Sequence, residues 1–363
     1  MKLSEILKAT GITGYLPDIE IKDLCYDSRN AGEGMMFVCL KGFEDDGHKY
    51  ARNAYDRGCR VFCAQDEIFL PADTVIFKHA DTRKFLALAS ANFFGHPSRE
   101  LLTIAITGTK GKTSTSFMIS SVLSTAGRKV GLIGTIGTII GDKIYKSDNS
   151  TPESYLIHKY FRDMIDAGID TVIMETSSQG FKLDRTYGIM FDIGIFTNLS
   201  PDHIGDGEHS DYEEYKSCKK QLFSSCKTGF FNANDKESKF MQQDAVCVIK
   251  EFGTATGCDY HAADIGFTAG DGRLLAEYDF CHDDVRTHFV IPHPGKASVY
   301  NSLCASSVCS FLGISDDIIL KGLLKTVIKG RNEIINTKDG FSVIIDYAHN
   351  ELSVKSVFDT LEP

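Results

Sequence analysis

Residues 106–114 read Ile-Thr-Gly-Thr-Lys-Gly-Lys-Thr-Ser. They follow the apolar run 101–106 and precede a helix-like stretch, 117–123. A strand, a glycine-rich turn and a Gly-Lys-Thr that opens a helix make a phosphate-binding loop, in which backbone N–H groups and the helix N-terminus present positive charge. Lys112 adds a full charge for β- and γ-phosphate, and the Thr113 hydroxyl can ligate Mg²⁺. The pattern predicts ATP as ligand. The loop is a shortened form, Gly108-Thr109-Lys110-Gly111-Lys112-Thr113, since Ile106 stands where the standard pattern has its first glycine. A Gly/Lys-rich turn of an ordinary α/β protein is the plainer alternative.

Two further stretches have the same form. Val172-Ile173-Met174-Glu175-Thr176-Ser177 is an apolar run ending in a carboxylate and hydroxyls. A carboxylate at such a strand end is placed to hold Mg²⁺ on a nucleotide; a solvated strand-end charge is the bland reading. Ile195-Phe196-Thr197-Asn198-Leu199-Ser200-Pro201-Asp202-His203 ends in Asp-His, which makes His203 a candidate site residue. Downstream, 212–223 reads as an amphipathic helix with Lys216, Lys219 and Lys220, among which spacing does not choose. Asn149-Ser150-Thr151-Pro152 is a polar turn able to cap a helix starting near Glu153, or to meet a ligand phosphate or carboxylate there.

These residues need a scaffold. Short apolar runs at 36–40 and 61–64, with helical stretches at 51–57 and 85–94, predict an α/β unit over 1–98, closed by His96-Pro97-Ser98. Residues 99–330 alternate strand candidates (102–107, 130–133, 171–175, 193–198, 229–232, 245–249) with helical patterns. Such alternation predicts a mostly parallel sheet with helices on both faces and functional turns at the carboxyl ends of its strands. Residues 251–290 read as an antiparallel appendage, and 297–312 as a helix carrying Asn301. A last strand, 342–346, ends in Asp346-Tyr347-Ala348-His349, 14 residues before Pro363.

Composition narrows the class. The 363 residues are 42% hydrophobic and 24% charged, with a net charge of −10. No long basic run is present, so nucleic acid is not an expected partner. Eleven cysteines in irregular spacing do not form a disulfide framework, and reduced thiols in a cytoplasmic protein are expected. No apolar run reaches the ~18 residues of a membrane span, and the first residues are too polar for a signal peptide.

Taken together the motifs resemble the Mur ligases, the ATP-dependent amide ligases of peptidoglycan precursor synthesis, over nearly the whole chain. The resemblance is carried by Asp27-Ser28-Arg29 and GFEDDGH at 42–48, and by TGTKGKTS at 107–114, NSTP at 149–152, METSSQG at 174–180 and TNLSPDH at 197–203. Glu214-Tyr215 with Lys219, GKASVYNSLCA at 295–305, Gly330-Arg331 and DYAHN at 346–350 complete it. The match is nearest the E-type branch, which adds the third, usually diamino, residue to UDP-MurNAc-L-Ala-D-Glu. The implied fold is an N-terminal UDP-binding α/β domain, 1–98, and a central P-loop ATPase-type domain, 99–330. A Rossmann-like third domain would start at 331; almost all of it, with the amino-acid pocket, is expected to be absent.

The resemblance implies that Gly108, Thr109, Lys110, Gly111, Lys112, Thr113, Ser114, Asn301, Arg331, Asp346 and His349 bind ATP. It implies Thr113, Glu175, His203 and a carbamylated Lys219 as ligands of two Mg²⁺ ions, with Lys112, Lys219 and His203 catalytic. Ser28 would contact uridine diphosphate; Ser150, Thr151, Ser177 and Arg185 would contact the muramoyl-peptide. A cytoplasmic monomer without membrane insertion is expected. The chain departs from the family at Lys110, often Asn; at Gln179, usually His; at 204–215, after Asp202-His203; and at Asn350-Glu351, usually Thr-Pro. A related ligase of the folylpolyglutamate or cyanophycin type, a non-catalytic muropeptide-binding protein, and a P-loop kinase are the competing readings; the N-terminal motifs argue against the first and the short loop against the last.

Overall fold

The computed structural model describes residues 1–14, 17–42, 45–205, 207–270, 273–328, 330, 333–336, 342–348, 354, 355 and 358. Arg331 and His349 lie outside the described residues.

The N-terminal part holds α1 (Leu3–Ile6), β1 (Asp23–Cys25), β2 (Met35–Val38), α2 (Ala51–Asp56), β3 (Val61–Ala64), β4 (Val75–Lys78) and α3 (Thr82–Phe93). Its four strands form a parallel sheet in the order β1-β2-β3-β4. One face packs on α1 and α3 through Leu3, Ile6, Phe85 and Leu86; Phe37 and Phe62 face α2 on the other. Sequence reading missed β1 and β4, both at the sheet's edges, where only one neighbour constrains the pattern.

The larger part runs β5 (Leu102–Thr107), α4 (Lys112–Thr125), β6 (Val130–Gly134), β7 (Gly137–Ile140), β8 (Lys143–Tyr145), α5 (Ser154–Asp166), β9 (Thr171–Glu175), α6 (Ser178–Lys182) and β10 (Phe191–Phe196). It continues with α7 (Tyr212–Lys220), β11 (Cys226–Asn232), α8 (Ser238–Gln242), β12 (Val248–Gly253), β13 (Tyr260–Gly270), β14 (Arg273–His282), β15 (Val285–Ile291), α9 (Lys296–Phe311) and α10 (Asp316–Leu324). All eleven strands lie in one sheet, ordered β15-β14-β13-β12-β11-β10-β5-β9-β6-β7-β8. From β6 to β13 the pairing is parallel; β7–β8 and β14–β15 extend the two ends antiparallel. A separate pair, β16 (Glu333–Asn336) and β17 (Ser342–Ile345), is antiparallel.

The central strands are apolar along their length because both faces are covered. Ile104 and Ile106 of β5 pack towards Met118, Ile119 and Val122 of α4 and Leu303 of α9. Ala105 between them faces the opposite side, with Ile157 and Phe161 of α5. This alternation holds β5 in the middle, and β6 and β10 leave it in opposite directions. The crevice beyond β5 is therefore the ligand position of an open parallel sheet.

Three readings are corrected. Residues 251–290 are not an appendage, since β13–β15 continue the central sheet. The strand expected at 245–249 is Val248–Gly253, because pairing with β11 sets Thr228 against Val248 and buries Phe252 rather than the exposed Val246. The turn 149–152 does not cap α5: the N-cap is Glu153, whose own carboxylate accepts from Ser154 N.

Candidate active site at the ends of β5, β9 and β10

The loop 108–111 leaves β5 with two residues in the left-handed region, Gly108 at φ 142° and Gly111 at φ 83°. A Cβ at Gly108 would collide with Thr197 Oγ1, and one at Gly111 with Asn301 Oδ1, so glycine is required twice, for conformation and for space. The TNLS stretch after β10 holds the loop from the side. Thr109 N donates to Asn198 O (2.9 Å), Lys110 N to Asn198 Oδ1 (2.9 Å), and Thr197 Oγ1 and Asn198 Nδ2 donate to Lys110 O (2.7 and 2.9 Å). Thr109 Oγ1 is hydrogen-bonded with the Tyr215 hydroxyl at 3.0 Å. The loop is thus set before any ligand binds, as tight phosphate binding requires.

Two lysines converge on it. Lys112 Nζ donates to Gly108 O (2.8 Å) and Thr109 O (3.0 Å), and Lys219 Nζ donates to Gly108 O (2.9 Å). The helix α7 separates its three lysines by register. Lys216 pairs with Glu213 and Glu237 and Lys220 with Asp244, whereas Lys219 is buried over the Tyr215 ring, 4.6 Å from its centroid. Burial, then the charge of Lys112, holds the Lys219 amine well below the usual lysine range.

Glu175, at the end of β9, is 2% exposed. Its Oε1 accepts from Thr113 Oγ1 (2.9 Å) and Thr135 N (3.2 Å), and its Oε2 from Thr135 Oγ1 (3.0 Å). Among the described residues only neutral donors meet this buried carboxylate. With the Thr113 hydroxyl it makes a hard-oxygen pair, which suits Mg²⁺. The reading of Glu175 as a solvated charge is excluded.

His203 lies elsewhere in the same neighbourhood. It adopts φ 55°, its side chain is 56% exposed, and Nδ1 lies 2.9 Å from Glu208 Oε1. The structure brings it to 6.4 Å from the Tyr215 ring, engaged with Glu208 rather than with Glu175 or Lys219. Ser114 is half-buried beside Thr113, and Lys110 approaches Asp202 at 3.8 Å. Asn301 of α9 accepts from Thr115 Oγ1 (3.4 Å) and lines a cavity of about 280 Å³ with Lys110, Gly111, Asn198, Phe252 and Tyr300. Asp346, half-buried, follows β17.

Three of the expected substrate contacts meet behind Glu175. Thr151 Oγ1 donates to Glu175 O (3.0 Å) and accepts from Ser177 N (2.9 Å), and Arg185 Nη1 donates to Thr151 O (2.8 Å). Ser177 Oγ accepts from Gly180 N and caps α6. Ser150 is half-buried beside them. Ser28 is buried at the start of a 3₁₀ turn after β1, opened by Asp27, whose carboxylate accepts from Arg29 N.

Among the described residues, several buried polar atoms here have no hydrogen-bond partner: both His209 ring nitrogens, the Gln179 amide and Arg185 Nε. Buried polar groups of this kind are costly unless water or a bound molecule completes their hydrogen bonds. His209 lies in the stretch 204–215 that departs from the family, and the sequence left its equivalence to a family histidine in doubt and gave it no role. It is fully buried with its ring 5.4 Å from that of Tyr215, and burial lowers its pKa. The available signal was its position two residues ahead of Asp211, the N-cap of α7. Tyr215 and Thr135 were also given no role, since their contacts are tertiary.

Comparison with known proteins gives the family of the chain. A model of the Mur ligase middle domain matches residues 106–309, and one of the Mur ligase family catalytic domain matches 20–94. UDP-N-acetylmuramoyl-L-alanyl-D-glutamate–2,6-diaminopimelate ligase 1 of Clostridium acetobutylicum is 40% identical over 98% of this chain and 74% of its own. The corresponding ligase of Clostridium botulinum is 37% identical over 94% and 71%. A solved structure of a UDP-N-acetylmuramoyl-L-alanyl-D-glutamate–2,6-diaminopimelate ligase superposes with a TM-score of 0.84 at 23% identity, covering 100% of this chain and 74% of that one. Folylpolyglutamate synthetase of Lactobacillus casei shares the fold at a TM-score of 0.60 and 15% identity, over 76% of this chain and 75% of its own. With the middle-domain match spanning more than half its length, the chain belongs to the Mur ligase family.

Proposed function

We propose that the chain is an ATP-dependent acid–amino-acid ligase of the E-type branch, adding a diamino acid, 2,6-diaminopimelate as in its named relatives, to UDP-MurNAc-L-Ala-D-Glu. The observation that carries this is the group of half-buried Lys112 with buried Lys219, Thr113 and Glu175 around one loop, with Thr151, Ser177 and Arg185 directly behind it. The D-Glu side-chain carboxylate attacks the γ-phosphorus; the bond from that phosphorus to the β–γ bridging oxygen breaks, releasing ADP and leaving an acyl phosphate. The amine of the amino acid then adds to the acyl carbon, and phosphate leaves as the amide forms and the nitrogen loses a proton. Lys112 and the loop amides stabilise charge on the transferred phosphoryl group, and Arg185 orients the acceptor.

Thr113 and Glu175 fit one Mg²⁺ by their oxygens; His203 and a carbamylated Lys219 are our proposed holders of a second. Bound there, Mg²⁺ neutralises phosphate charge. Carbamylation needs a neutral amine, which adds to CO₂ and loses one proton, and the desolvation of Lys219 favours that neutral form. ATP is assigned to the loop and to the Asn301 cavity. Arg331, Asp346 and His349 are assigned to the nucleotide from the family pattern alone. We take Ser28 as a uridine-diphosphate contact, and the three sheets as domains over 1–98, 99–330 and from 331. The enzyme is read as a cytoplasmic monomer; all eleven cysteines are free, as suits a reducing compartment. Among the described residues no helix is long and apolar enough to cross a membrane.

Calorimetric titration with UDP-MurNAc-L-Ala-D-Glu, UDP-MurNAc-L-Ala and folate tests the reading. Saturable binding selective for the dipeptide is expected; binding of folate instead, or of no muropeptide by a folded sample, contradicts it.

A further inference from the structure

Glu153 stands where the first sheet's helices meet the central sheet. Its carboxylate is 11% exposed and fully engaged. Oε1 accepts from Ser154 N at 3.1 Å, and Oε2 accepts from Arg83 Nη1 at 3.0 Å. Arg83 belongs to α3, and its Nε and Nη2 donate to Lys41 O at 3.1 and 2.9 Å. On the other side Arg185 Nε lies 3.7 Å from the same Glu153 Oε2, too far for a hydrogen bond. Arg185 is fixed by Nη1 on Thr151 O, while Nε has no hydrogen-bond partner among the described residues.

One carboxylate thus faces two largely buried guanidiniums, one from each side of the boundary between the sheets. Without it the two cations would repel across a poorly solvated space. With it, the trio keeps one net positive charge beside Thr151 and Ser177. Arg83 continues the chain of contacts to Lys41, which directly precedes the sequence GFEDDGH at 42–48.

We infer that Glu153 is a positioning residue: it holds the Arg185 guanidinium for the carboxylate end of the acceptor and links that placement to the seating of the first sheet through Arg83. The inference rests on the muropeptide reading above. Capping and charge are separable roles, because a glutamine at 153 can still accept from Ser154 N but cannot neutralise either arginine.

The test is calorimetry on the full chain, with UDP, UDP-MurNAc-L-Ala and UDP-MurNAc-L-Ala-D-Glu as ligands, for wild type, Glu153→Gln and the double variant Arg83→Gln/Glu153→Gln. Glu153→Gln is expected to weaken the dipeptide ligand about tenfold or more while UDP binds as before. The double variant, relieved of the second cation, is expected to recover most of that loss, which a purely structural role would not produce. It also supplies the answer if the single variant does not fold. Unchanged dipeptide affinity in Glu153→Gln, an equal loss for UDP and dipeptide, or a double variant that binds the dipeptide no better than tenfold below wild type overturns the inference. A wild type that does not prefer the dipeptide overturns the muropeptide reading itself, and this inference with it.

Discussion

The ends of β9 and β10 look alike in sequence, an apolar strand followed by a polar turn and an ionisable residue, yet they are held differently. Glu175 is reached at the last residue of β9, is 2% exposed and is fixed by three hydrogen bonds. His203 comes seven residues after the end of β10, in a left-handed conformation, with its side chain 56% exposed. The intervening Thr197, Asn198 and Ser200 bond to the phosphate loop instead. One strand end therefore delivers a fixed, buried carboxylate and the other delivers the clamp that shapes the loop. A strand terminus positions a side chain only as far as buried neighbours continue to constrain it.

The largest effect is expected at the loop. Lys112→Ala should lower acyl-phosphate formation by about 10²–10³-fold, the cost of removing one transition-state charge contact, and leave UDP-muropeptide affinity unchanged. Acyl phosphate at the wild-type rate would show that the loop is not the phosphoryl-transfer site. Next, Lys219→Ala should lose most turnover and regain part of it with added formate; near-normal turnover that no small acid alters would remove the carbamate from the account.

The pH dependence of Lys219 follows from its lowered pKa. The native chain binds fewer protons than the unfolded chain between the native pKa and the ordinary value near 10.4. Stability therefore rises with pH through that window, and the penalty is complete below the native pKa. In CO₂-free buffer Lys219→Met should melt a few °C above wild type, with the gain growing as pH is lowered from 10. A gain that stays flat or shrinks on acidification would mean that the amine stays charged in the native state.

The smallest effects bear on the two strand ends directly. Glu175→Ala, which strands the Thr113 and Thr135 donors, should cost about 1–3 kcal/mol of unfolding free energy. His203→Ala should change it by less than about 0.5 kcal/mol. Equal costs, read from denaturant titrations, would abolish the distinction between clamped and exposed termini.

What the sequence made legible was local. The Gly108–Thr113 loop, the β9 run into Glu175 and the helix over 297–312 each state their structure within a few residues. The choice among Lys216, Lys219 and Lys220 was not local: it needed the helix axis fixed by Tyr215 against Thr109. His209, Thr135 and the pairing of Glu153 with Arg83 depend on chain segments that approach only in three dimensions. The edge strands β1, β4 and β8 escaped because one-sided pairing and partial exposure blur the period-two signal.

The most direct measurement of the central claim is hydroxylamine trapping of the acyl phosphate with ATP, Mg²⁺ and UDP-MurNAc-L-Ala-D-Glu in the absence of amino acid. The account predicts a hydroxamate that requires the D-Glu residue and disappears in Lys112→Ala. A folded chain that binds ATP and the dipeptide yet yields no hydroxamate, or yields it equally with Lys112→Ala, would contradict it.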